Sequence, residues 1–122
     1  MHRPNIVIAE SDRALADQLF SSLDRQFRSV KLVQSLGELR LAIPGHQVDA
    51  VVADLETVDL QQLADLKSVH KLTVICTHRV PDEAMWTAAL EADVFDVCQS
   101  NDIPAIVDAI QRSLQVAKAT AA

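Results

Sequence analysis

Val48-Asp49-Ala50-Val51-Val52-Ala53-Asp54 decides the fold of this chain. Apart from Asp49, the stretch Val48–Ala53 is small or β-branched and apolar, as in a strand covered on both faces. It then stops on a carboxylate, Asp54. Four more short runs of this kind follow the same rhythm: Asn5–Ala9, Val30–Val33, Leu72–Thr77 and Val94–Cys98. The runs beginning at Asn5 and Leu72 are almost wholly apolar, whereas Val30-Lys31-Leu32 alternates and is expected at a sheet edge.

Helical periodicity fills the intervals. Leu15, Leu19 and Leu23 recur every four residues, and Leu60, Leu63 and Leu66 every three. A short helix around Leu36–Ile43 is expected to stop at Pro44-Gly45. Pro81 suits the first turn of a helix reaching about Ala92, with Asp82 and Glu83 at its positive end. The last helix is expected from Asn101-Asp102, with Pro104 in its first turn and Ile106 or Val107, Ile110 and Leu114 buried. Strands separated by helical crossovers form a parallel sheet between two helical layers. The small, polar tail 117–122 is expected to fray or to begin a linker.

Composition narrows the functions. The 122 residues, 49% apolar, suffice for one domain with a proper core. A net charge of -6 and only four aromatic side chains, Phe20, Phe27, Trp86 and Phe95, argue against direct nucleic-acid binding. No apolar run can span a bilayer, and Met1-His2-Arg3-Pro4-Asn5 lacks a signal peptide's apolar segment, so a cytoplasmic location is expected. Cys76 and Cys98 read as buried thiols, and the histidines show no zinc-ligand spacing. Gly37 and Gly45 form no phosphate-cradling loop, which excludes a flavin or nucleotide carrier, and no catalytic triad is present.

In a sheet of this type, chemistry gathers outside the carboxyl ends of the strands. Those ends carry Glu10-Ser11-Asp12, Asp54, Thr77 and Val97-Cys98-Gln99-Ser100. Ile6-Val7-Ile8-Ala9-Glu10-Ser11-Asp12, with Asp54 after Val51-Val52-Ala53 and Thr77 after Val74-Ile75-Cys76, resembles the receiver domain of two-component response regulators. The resemblance covers about residues 4–116, within a single receiver-like domain spanning 1–122. It implies the α/β, flavodoxin-like (βα)5 three-layer sandwich with strand order 2-1-3-4-5. It also implies Asp54 as phosphoacceptor and Thr77 as the hydroxyl that follows the phosphoryl group. Glu10 and Asp54, with Asp12 as a further candidate, would hold a weakly bound Mg2+. The implied partner is a sensor histidine kinase or another signalling protein, and no enzyme activity of its own is expected.

Four features depart from the receiver pattern. Ser11 stands where a second acid is expected. The loop Leu55-Glu56-Thr57-Val58-Asp59 lacks the usual proline and glycine. No lysine lies between residues 72 and 117, since the only ones are Lys31, Lys67, Lys71 and Lys118. Gln99 or Ser100 would fill the lysine's place without charge, at a loss of roughly 1.5–3 kcal/mol to a bound phosphoryl group. His78 or Arg79 could bring a cation from another side. Finally, Val97 replaces the aromatic that reports phosphorylation, with Phe95 two residues earlier on the same expected face. Two functions follow as expectations: an impaired phosphoacceptor, or a pseudo-receiver working through protein contacts alone. Trp86 and Leu90 are expected in a half-buried stripe, and the helix around Trp86, with the last helix, is a candidate dimer or target surface.

Overall fold

A computed structural model describes residues 4–27, 29–70 and 72–121, without the side chains of 45, 46 and 117–121. The elements are β1 (Asn5–Ala9), α1 (Arg13–Leu23), β2 (Ser29–Val33), α2 (Leu36–His46), β3 (Ala50–Asp54), α3 (Leu60–His70), β4 (Thr73–His78), α4 (Glu83–Glu91), β5 (Asp96–Gln99) and α5 (Ile103–Ala121). All strands pair in parallel in the order β2-β1-β3-β4-β5. The expected order and the edge position of β2 are both observed.

Strand alternation divides the core into two layers. Val7, Ala9, Val51, Ala53, Val74, Cys76 and Val97 pack with α2, α3 and α4. Ile6, Ile8, Val52, Ile75 and Cys98 pack with Leu19 and Leu23 of α1 and Ile106 and Ile110 of α5. Cys76 and Cys98 thus occupy opposite faces as free, buried thiols, and burial pushes each up to about 12.

Each helix starts on a side-chain cap, and four of the five caps are aspartates. Asp12 accepts from the Leu15 N–H, Ser35 from Glu38, Asp59 from Gln62, Asp82 from Met85 and Asp102 from Ala105. These bonds satisfy donors that a helix start leaves unpaired. Gln62 also accepts from the Asp59 N–H, closing a capping box.

Several boundaries differ from expectation. Helix α2 runs through Pro44 to His46 and ends at Gln47, whose φ is 47°. Pro44 lies in the last turn, where only one backbone bond is lost, while Leu39, Ala42 and Ile43 hold the helix to the core. Pro81 precedes α4 instead of entering it, because Asp82 takes the cap. Strand β5 begins at Asp96, later than Val94, because Asp93 and Val94 donate to the carbonyls of Leu90 and Ala89 and still belong to the end of α4. Phe95 consequently packs on the α1/α5 side, with Arg112 5.6 Å from its ring centroid, and not on the Val97 face. Trp86 and Leu90 are exposed, at 42% and 60%, because Ala89 and Met85 face the sheet. The backbone of α5 continues helically to Ala121, through the stretch expected to fray or to begin a linker. Expectations for Met1-His2-Arg3, for Lys71 and for Ala122 fall outside the described residues. Among the described residues no helix is long and apolar enough to cross a membrane.

Candidate functional site

Register brings the strand ends together. Ala53 pairs with Ala9 and Cys76, and Asp54 pairs with Thr77 at the next position. Glu10, Asp54, Thr77 and Ser100 are all buried at the carboxyl edge of the sheet. Asp12 lies at the rim, as the N-cap of α1.

The Asp54 carboxylate, 4% exposed, is occupied on both oxygens. Thr77 Oγ1 donates to Oδ1 at 3.2 Å and Ser100 Oγ to the same oxygen at 3.4 Å. The Glu56 N–H donates to Oδ2 at 3.0 Å. Burial raises the Asp54 carboxyl above its ordinary range, and the Glu56 carboxylate adds to this; the Glu56 N–H and Thr77 hydroxyl oppose it. Of the two residues considered for the missing lysine, Ser100 fills the place. Gln99 turns away and donates from Nε2 to the Arg79 carbonyl.

Glu10 is less well served. Its Oε2 accepts from the Asp12 N–H at 3.1 Å. Its Oε1 is buried without a hydrogen-bond partner among the described residues. Burial raises this carboxyl too, and the charges of Asp54 and Asp12 raise it further against the Asp12 N–H.

A bridge and a cation close the mouth. Thr57 Oγ1 accepts from the Ser11 N–H at 3.0 Å, and the two hydroxyls lie 2.9 Å apart, joining the loops after β1 and β3. Arg79 donates from Nη2 to Asp12 Oδ2 at 3.0 Å, and its Nε lies 3.6 Å from Glu56 Oε1. His78 Nε2 is 3.7 Å from the same Glu56 oxygen. A cleft of about 360 Å3 beside the site is lined by Asp12, Leu15, Arg79, Gln99, Ser100 and Asn101, among others. Thr57 and the backbone of Glu56 are the participants that sequence reasoning missed. The one signal was a hydroxyl residue in a loop expected to hold proline and glycine.

Mg2+ needs near-octahedral oxygen ligands, with carboxylates free to turn toward it. Here Asp54 is held by three donors, Asp12 by its helix cap and Arg79, and only Glu10 Oε1 is uncommitted. Among the described residues no group of three or more acidic, histidine or cysteine side chains could hold a metal. As arranged here these carboxylates offer Mg2+ one uncommitted oxygen, Glu10 Oε1, and water would have to supply most of its shell.

No family model and no curated protein sequence matches the chain. Solved structures do match in fold. The signal receiver domain of an HD domain-containing protein from Pseudomonas fluorescens Pf-5 aligns with a TM-score of 0.82 at 17% identity, covering 93% of this chain and 96% of that one. A response regulator receiver domain protein (CheY-like) from Methanospirillum hungatei JF-1 gives 0.86 at 14% identity, covering 98% and 99%. A response regulator from Thermotoga maritima gives 0.84 at 11% identity, covering 93% and 99%. The fold is that of response regulator receiver domains.

Proposed function

We propose that this chain is a receiver-type signalling domain that passes its signal through protein contacts, with phosphoryl acceptance at Asp54 weak or absent. One observation carries the reading: the Asp54 carboxylate is buried, both of its oxygens accept hydrogen bonds, and no lysine lies between residues 72 and 117. Attack on phosphorus needs a carboxylate lone pair and room beside it, and three donors already hold three of the four lone-pair directions of the buried Asp54 carboxylate. The product would replace the single carboxylate charge with about two on the phosphoryl group, beside Glu10 and Glu56, and neutral hydroxyls at 77 and 100 offset little of that. Its partner is a sensor histidine kinase or another signalling protein, and it has no catalytic turnover of its own.

A second reading, a slow phosphoacceptor, is favoured by one contact. Thr77 already donates to Asp54 Oδ1, and Arg79 at the rim could meet an incoming anion. Intact mass after incubation with a small phosphodonor and Mg2+, with Asp54→Asn as control, separates the two. The proposed function expects no gain in mass, or a small and short-lived one. Near-complete, long-lived phosphorylation that disappears in Asp54→Asn would overturn it.

A further inference from the structure

Two buried carboxylates share the carboxyl edge of the sheet without a cation of their own. Every hydrogen bond they receive comes from a neutral donor: the Asp12 N–H to Glu10, and the Glu56 N–H, Thr77 and Ser100 to Asp54. Charged side chains are rarely buried unless an opposite charge meets them. Arg79 is committed to Asp12 and Glu56 at the rim, and His78 lies against Glu56. Among the described residues, neither forms an ion pair with Glu10 or Asp54. Four carboxylates therefore meet one guanidinium and one imidazole, and the two buried ones are those left over.

A second, independent observation places the deficit. Glu10, 2% exposed, has its Oε1 buried with no hydrogen-bond partner among the described residues, and the charge of Asp54 acts on it, so the two carboxylates adjoin. The cleft of about 360 Å3 approaches both through one residue each. Ser100 lines it and donates to Asp54 Oδ1 over a long 3.4 Å, and Asp12 lines it while its N–H holds Glu10 Oε2. Ala14 and Leu15 add an apolar wall that a hydrocarbon stem can cover.

We propose that this cleft binds a primary alkylammonium group, with its stem along Ala14 and Leu15. Its nitrogen donates to Glu10 Oε1 and, in place of the Ser100 hydroxyl, to Asp54 Oδ1, leaving Ser100 to accept the third proton. An ammonium has three donors and no acceptor, which matches that set. A guanidinium fork seeks both oxygens of one carboxylate, and backbone N–H groups already hold Glu10 Oε2 and Asp54 Oδ2. Mg2+ sheds water reluctantly and demands a near-octahedral shell. A free amine and a lysine side chain of a partner protein bring the same chemistry. The inference goes beyond the proposed function and does not rest on it.

The amides of Asp12 and Glu56 are bonded to the two carboxylates, so their NMR resonances, with that of Ser100, report on the site directly. The probe is n-butylammonium chloride titrated into the full chain at constant ionic strength. The control is n-butyltrimethylammonium, which has the same charge and stem and no N–H. Butylammonium is expected to move these three resonances saturably, and the control to leave them in place. Binding should weaken about tenfold or more in Glu10→Gln. Asp65→Asn removes the same charge from the exposed side of α3 and should change nothing. Ser100→Lys supplies an ammonium from the chain itself and should abolish the titration; should that variant not fold, Glu10→Gln decides alone. A short acetylated, amidated peptide with one central lysine separates the sources: binding as tight as butylammonium assigns the site to a partner's lysine, and binding of butylammonium alone assigns it to a free amine. Equal shifts with the trimethyl control, unchanged binding in Glu10→Gln, or no saturable movement at 12, 56 and 100 would overturn the proposal. Phosphorylation of Asp54 in the mass experiment would overturn the proposed function and leave these titration outcomes standing.

Discussion

Glu10 is the side chain whose surroundings serve it least. At 2% exposure, one oxygen holds the Asp12 N–H and the other holds nothing among the described residues. An unsatisfied buried acceptor costs about 1–3 kcal/mol, more when charged. Glutamine keeps an acceptor for the Asp12 N–H and places an amide donor near the Asp54 charge. Glu10→Gln is therefore expected to stabilise the fold at neutral pH by about 1 kcal/mol, measured by urea unfolding. The pH dependence follows from the raised Glu10 and Asp54 carboxyls. Folding favours their protonated forms, so above the folded-state values their ionisation costs the full penalty. As pH falls from neutral through those values toward the ordinary carboxylate range near about 4, this penalty is relieved. Wild-type stability should rise over that descent, and Glu10→Gln should flatten the rise. A glutamine variant that is less stable at pH 7, or that leaves the slope unchanged, would contradict the burial argument. Glu10, Asp54 and Thr77 were legible in the sequence because each ends an apolar strand. Thr57 and the choice of Ser100 over Gln99 were not, because a hydroxyl reaching across two loops depends on how those loops approach in space.

At the scale of elements, stability is unevenly placed, and two helix ends show where. Gln47 ends α2 at a φ of 47°, a conformation that costs an L-residue roughly 1–2 kcal/mol and glycine nothing. Glycine also loses more freedom on folding, so Gln47→Gly should gain about 0.5–1 kcal/mol in urea unfolding; a loss of stability would show that the Gln47 side chain contributes more than its backbone strain costs. Helix α4 presents the opposite case, since Ala89 is its only buried residue and Asp82 holds its first turn. Removing a cap costs about 1 kcal/mol, which in a weakly anchored helix appears first as local opening. Asp82→Ala is expected to speed amide hydrogen exchange through α4 while that of β1, β3 and β4 stays unchanged. Uniform acceleration across the sheet would mean that α4 is part of the global unfolding unit. The number and order of elements were readable from alternating apolar runs and helical periods. Their edges were less so: the extension of α2 past Pro44 and the late start of β5 follow from positive-φ turns at Gln47, a residue type that carries no turn signal, and at Asp93, whose turn tendency the apolar residues after it masked.

Across the whole molecule, the parallel sheet converges four buried polar groups on one edge, and the loops around that edge bind each other directly. The Ser11–Thr57 bridge and the Arg79 pairs with Asp12 and Glu56 tie the loops after β1, β3 and β4 together. That arrangement makes a statement about linkage. A ligand present at a hundred times its dissociation constant stabilises the state that binds it by about 2.7 kcal/mol, which in a domain of this size raises the melting temperature by on the order of 10 °C. Wild-type protein in millimolar Mg2+ should therefore melt within about 1 °C of protein in NaCl of equal ionic strength. Removing the guanidinium and supplying a carboxylate should reverse this. Arg79→Ala combined with Ser11→Asp frees Asp12 and Glu56 and brings another acid to the mouth beside Glu10, so its melting temperature should rise with Mg2+ while NaCl has little effect. A large Mg2+ response in the wild type would show that these loops open readily and that Asp54 and Glu10 turn toward a metal at modest cost. Absence of any response in the double variant would instead show that the hydroxyl and backbone donors on Asp54, and not the arginine, keep the site closed to metal.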